Sequence, residues 1–126
     1  ILALDGNSAP YLQYAHARAC AVLRKGEGMR LKGSNFVLEE PQELAVARLL
    51  PRFPEVVVHA TEEFKPNLIA NYLFEVASAF NSFYGAVNVI QSPAEAREKR
   101  LFLVEAVAVV LKNGLDLLGI EAPEEM

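Results

Sequence analysis

With 126 residues, 52% of them hydrophobic, the chain is long enough to bury one core, too short for two comfortable domains and too apolar to be disordered. A formal net charge of -4 argues against broad, non-specific adhesion to nucleic acid, which needs the opposite sign. A single cysteine, Cys20, excludes an internal disulfide and fits a reducing, cytoplasmic setting, where it is expected to act as a small apolar core residue. No signal peptide and no membrane-spanning apolar run is legible, so no membrane partner is expected. The chain opens at Ile1 without an initiator methionine, and a processed or excised piece of something larger is expected.

A short apolar lead-in, Ile1 to Gly6, precedes the first helix, which is read from Asn7 to Lys25. Asn7 or Ser8 supplies a capping oxygen and Pro10 fits the first turn, where no amide bond is lost. The helix should end near Gly26 or Gly28, where glycine can take the left-handed closing conformation. Gly26 to Leu38 is glycine-rich and basic without a sustained period, and reads as a flexible loop. Pro41 opens a second helix and Pro51 breaks it; Pro54 starts a third over Phe53 to Glu63, with Val57, Ala60 and Phe64 on one face. The fourth helix, Lys65 to Tyr84, has apolar residues at three-four spacing: Leu68, Ile69, Tyr72, Leu73, Val76, Phe80 and Phe83. Gly85 closes it.

Ser92-Pro93-Ala94-Glu95 has the pattern of a capping box with proline at the first helical position. The fifth helix follows to about Leu118, with a break expected at Gly114. From Leu101 to Leu111 only Glu105 is polar, so this helix should be central and buried, with Leu103, Val107, Val110 and Leu111 in the core. Gly119 ends it, and an acidic tail with Pro123 runs to Met126. No strand alternation and no internal repeat is visible. The fold class that results is all-α, a bundle of about five helices.

The first helix carries the most informative face. At about 100° per residue, Tyr14 falls at about 300° and Arg18 at about 340° relative to Tyr11, so two phenols and a guanidinium share one narrow face. Leu12, Ala15, Ala19, Val22 and Leu23 form an adjacent apolar stripe. Flat rings beside a planar cation suit stacking on bases and pairing with phosphate. The same spacing also lines ordinary cores, with the hydroxyls reaching edge partners. Charge is unevenly distributed: Arg18, Arg24, Lys25, Arg30 and Lys32 cluster early, whereas acids gather at Glu39, Glu40 and Glu43, at Glu55, Glu62 and Glu63, and in the tail. A local basic patch on an acidic body favours one specific contact.

Chemistry of its own is missing. His16 and His59 belong to no metal-ligand spacing, and His16, roughly opposite the Tyr11 face, reads as packed or solvated rather than as a base. No phosphate-cradling glycine loop and no nucleophile elbow is present.

Asn7-Ser-Ala-Pro-Tyr-Leu-Gln-Tyr-Ala-His-Ala-Arg18 closely resembles the opening of the anticodon-binding domain of arginyl-tRNA synthetases, class I aminoacyl-tRNA synthetases. The stretches Pro66 to Tyr84 and Gly114 to Met126 resemble that family's closing helices and C-terminus, so the resemblance spans nearly the whole chain, with Gly26 to Phe64 the least diagnostic part. It implies a parent enzyme that joins arginine to its tRNA with ATP, through an upstream catalytic domain whose His-Ile-Gly-His-like and Lys-Met-Ser-Lys-Ser-like signatures are absent here. This piece would bind arginine tRNA, as a monomer, need no cofactor and form no arginyl-adenylate alone. The resemblance further implies that Tyr11, Tyr14, Arg18 and Met126 line a site for anticodon-loop bases, the middle cytosine among them, and that Tyr84 lies near the same loop. Some relatives carry a second aromatic where this chain has Asn88. From the residues alone, a helical protein-interaction domain that docks a partner helix is the other reading.

Overall fold

The computed structural model describes residues 8–27 and 37–126. Among them are five α-helices and no strand: α1 (Ser8–Lys25), α2 (Pro41–Leu49), α3 (Phe53–Glu62), α4 (Asn67–Ala86) and α5 (Ala94–Leu117), with a 3-10 turn, Leu50–Arg52, between α2 and α3. The lead-in before Ser8 and most of the glycine-rich loop, with Arg30 and Lys32, lie outside the described residues. None of the described helices is long and apolar enough to cross a membrane.

The apolar spacing decides the packing. In α4, Ile69, Tyr72, Leu73, Val76, Phe80 and Phe83 are buried, and the helix touches α1, α2, α3 and α5. The hub is therefore α4 rather than α5. Helix α5 buries Leu101, Leu103, Val104, Val107, Leu111 and Leu115, with Val110 partly buried, but Phe102 and Val109 are half exposed. Apolar residues all round the helix signalled complete burial; the stripe of α5 that carries Phe102 and Val109 stays half exposed.

Two glycines permit close approach of neighbouring side chains. Helix α5 runs unbroken through Gly114, where a Cβ would stand 2.5 Å from Leu73 Cδ2. Gly26 is buried without a left-handed backbone, and a Cβ there would meet Leu101 Cδ2 at 2.6 Å. Helix α4 runs past Gly85 to Ala86 and ends at an extended Val87.

Two local expectations change. The Ser92 hydroxyl does not cap α5: it donates to the Asn88 carbonyl at 2.7 Å and accepts from Arg100 Nη1 at 2.7 Å. The carboxylate three residues into a helix does its capping at α2, where Glu43 Oε1 accepts from the Glu39 and Glu40 amides at 3.1 and 3.2 Å. Phe64, expected on the buried face of α3, is 90% exposed. It follows the helix end at a φ of 55°, and the Lys65 amide reaches back to the Ala60 carbonyl at 2.9 Å. That closure normally takes glycine, because a side chain in this region costs roughly 1–2 kcal/mol. Replacing Phe64 by Gly should therefore raise stability by about 0.5–1 kcal/mol despite the added freedom of the unfolded chain. A urea titration checks it, and a lower midpoint would refute it.

Candidate functional site

The site is made where three elements meet: the outer face of α1, the C-terminal end of α4 and the tail. After α5, Gly119 takes a φ of 74°, with its amide on the Asp116 carbonyl and the Ile120 amide on the Leu115 carbonyl at 2.9 Å. This left-handed closure turns the chain back. The tail then lies along α1 and is held by its carbonyls. Gln13 Nε2 donates to the Glu121 carbonyl at 2.8 Å, His16 Nδ1 bonds the Pro123 carbonyl at 2.9 Å, and Arg24 Nη1 donates to the Glu124 carbonyl at 3.1 Å.

Between tail, α1 and α4 lies an open cleft of about 740 Å³. Tyr14, Arg18, Tyr84 and Met126 line it, with Ala17, Ala21, Arg24 and Glu125. Tyr14 and Met126 are largely exposed there, so their apolar surfaces face water. Arg18 is pre-set: its Cζ stands 4.7 Å from the centre of the Tyr84 ring, and its Nη1 donates to Asn81 Oδ1 at 2.8 Å. A guanidinium has five N–H donors in a rigid fork, so a stacked, singly anchored Arg18 keeps donors for a planar or anionic ligand. Ala17 and Ala21 give the floor room, since larger side chains would fill it.

The sequence-predicted residues thus divide. Tyr14, Arg18, Tyr84 and Met126 come together. Tyr11 does not join them: its ring stacks on Phe74 of α4, with centroids 5.0 Å apart. The cleft is centred on the face carrying Ala17, Ala21 and Arg24, at about 220–280° from Tyr11, so Arg18 stands between Tyr11 and the opening. Asn88 lies in a neighbouring cleft that shares Tyr84, and its side chain is engaged with Gln91. Asn81 and Arg24 went unread as site residues. Asn81 lies three residues before Tyr84, one helical turn away, which is the signal that could have found it.

Of two further residues of α1, His16 is packed, one of the two states expected of it, and Cys20 departs from its expectation. His16 is buried, and Cys20 Sγ lies 3.6 Å from its Nε2. Cys20 is therefore half-buried beside a polar ring, not in the apolar core. Burial pushes its thiol up, and the nearby Glu124 carboxylate adds to this, while Arg24 opposes it. Among the described residues no group of His, Cys, Asp and Glu could hold a metal ion.

The DALR anticodon binding domain family matches residues 12–126. The chain belongs to that family. Over its whole length the domain is 45% identical to arginine–tRNA ligase 1 of Bacillus cereus and 47% identical to arginine–tRNA ligase of Pyrococcus furiosus, spanning 22% and 21% of those proteins. The Thermus thermophilus arginyl-tRNA synthetase structure superposes on it with a TM-score of 0.80 at 41% identity, over 93% of this chain and 21% of that one. The chain thus shares its all-helical fold with the matching part of the Thermus enzyme, and it spans about a fifth of the length of the relatives it matches.

Proposed function

We propose that this DALR domain binds the anticodon loop of an arginine tRNA and takes one extruded base into the cleft between α1, α4 and the tail. The observation that carries the reading is the meeting of Tyr14, Arg18, Tyr84 and Met126 around that one cleft. Anticodon bases are unstacked, and proteins read them by aromatic stacking and edge hydrogen bonds. Tyr14 offers a ring face, Met126 a polarisable thioether, and Arg18 a fork aimed at a base edge or a phosphate; only the former discriminates sequence. Tyr11 supports the site from behind, by fixing α1 against Phe74.

The parent chain would ligate arginine to its tRNA with ATP in a separate catalytic domain, as a monomer in the cytoplasm. This domain would contribute recognition and need no cofactor of its own. Replacing Tyr84 or Tyr14 by Ala should lose about 1–3 kcal/mol of anticodon-loop binding, the usual worth of one stacked base. Deleting Met126 should also weaken binding while leaving the helix content unchanged. Titrations of arginine tRNA against an unrelated tRNA, at fixed salt, are the measurement. Wild-type affinity in all of these variants would mean that the face is structural. Binding should also fall steeply with salt, whereas a groove for a partner helix would show little salt dependence.

A further inference from the structure

The cleft has a movable wall. Met126 lies beyond the end of α5 on a tail with no helix of its own, and the side chains of α1 place it. Gln13 and Arg24 meet their carbonyls in exposed positions, where water competes. His16 differs, because its ring is only 2% exposed. A carbonyl oxygen can only accept, so the 2.9 Å contact requires a proton on Nδ1, while Nε2 faces the Cys20 thiol. The bonded carbonyl belongs to Pro123, whose ring fixes its own φ, so anchoring that carbonyl directs the three residues that follow it to Met126.

We propose that His16 is a positioning residue, which sets Met126 at the cleft through the Pro123 carbonyl while touching no ligand itself. The inference rests on the reading of the cleft as a base site, but the clamp it describes is measurable without RNA. Loss of the Nδ1 donor would leave a carbonyl facing a closed surface, and the tail would lift to reach water.

The test compares His16→Asn with His16→Gln in the natural full-length chain. The Asn amide nitrogen lies close to the place of imidazole Nδ1 and restores the donor. The Gln amide nitrogen falls near the place of Nε2, on the Cys20 side. One readout is the methyl carbon signal of Met126, assigned by its loss in Met126→Leu; the other is affinity for arginine tRNA at fixed salt. In the Gln variant the methyl signal should move to the narrow line of free methionine, and affinity should fall about tenfold, as for deletion of Met126, within the worth of one packed base. Deleting Met126 in the Gln background should add no further loss, because the two act as one unit. The Asn variant should keep the wild-type signal and bind within about twofold of wild type.

A wild-type Met126 signal in the Gln variant would overturn the inference, whatever happens to tRNA binding. A shifted signal with tRNA affinity indifferent to Met126 would uphold the clamp and sink the base-site reading instead. If the Gln variant folds poorly, His16→Leu, apolar and without a donor, repeats the comparison with the same expected and overturning results.

Discussion

Replacing Glu43 by Ala should lower stability by about 3–5 kcal/mol, because it strips one partner from a buried ion pair and leaves the rest in place. Glu43 is fully buried. Its Oε2 accepts from Arg100 Nε at 2.7 Å, its Oε1 lies 3.5 Å from Lys99 Nζ, and the same oxygen accepts from the Glu39 and Glu40 amides. Arg100 and Lys99 are themselves mostly buried, and they extend the network to the Ser92 hydroxyl and the Val37 carbonyl. Removing the carboxylate takes a counter-charge from two cations and the acceptor from two amides at once. Glu43→Gln should cost less, since the amide oxygen can still serve the two backbone donors.

The same cluster sets a pH dependence. Burial alone would push the Glu43 carboxyl up, but Arg100, the two amides and Lys99 outweigh it and hold the group below the ordinary 4.5. A depressed folded value means that the unfolded chain takes up the proton first. The stabilisation is therefore present above about pH 4.5 and is lost as pH falls through the lower folded value. Urea midpoints from neutral pH downward should show the gap between wild type and Glu43→Gln narrowing below that point. A gap that stays constant would mean that the carboxylate is not what the network stabilises.

Truncating Leu111 to Ala should cost about 2–5 kcal/mol. Leu111 has no exposed surface, and α5 packs there against both α1 and α4, held close to Leu73 by Gly114 only three residues on. A site where a missing Cβ is already required has little room to collapse, so the cavity should persist and the cost should fall in the upper half of that range. Chemical denaturation of the two proteins measures it. A loss under about 1 kcal/mol would show that the helices close over the gap.

These two residues also show what a sequence can display. Leu111 was legible because helical periodicity carries burial directly, and the same signal located the cores of α1 and α4. Glu43 was not: among neighbours Glu39 and Glu40 it reads as part of a solvated acidic run, and only the return of α5 reveals its cations, Lys99 and Arg100, more than fifty positions away. Phe102 and Val109 mark the opposite failure, since an apolar residue states what it prefers and not whether a neighbour is there to cover it. In the cleft, the angular position of Tyr14 and Arg18 on one helix was readable. Local spacing could not say that α4 would claim Tyr11, or that Asn81 would hold Arg18.

The tail illustrates a different kind of information. Its contacts with α1 engage the carbonyls of Glu121, Pro123 and Glu124, and a carbonyl is the same atom whatever side chain its residue carries. Pro123 apart, such a clamp is indifferent to spelling and sensitive to counting. Glu121 and Glu124 could drift in identity with little effect on where the chain ends up. Adding or removing one residue between Gly119 and Met126 would displace the thioether by about 3.3 Å, roughly the thickness of a base. Length, rather than the side chains of Glu121 and Glu124, is the property of this segment that sets where Met126 stands.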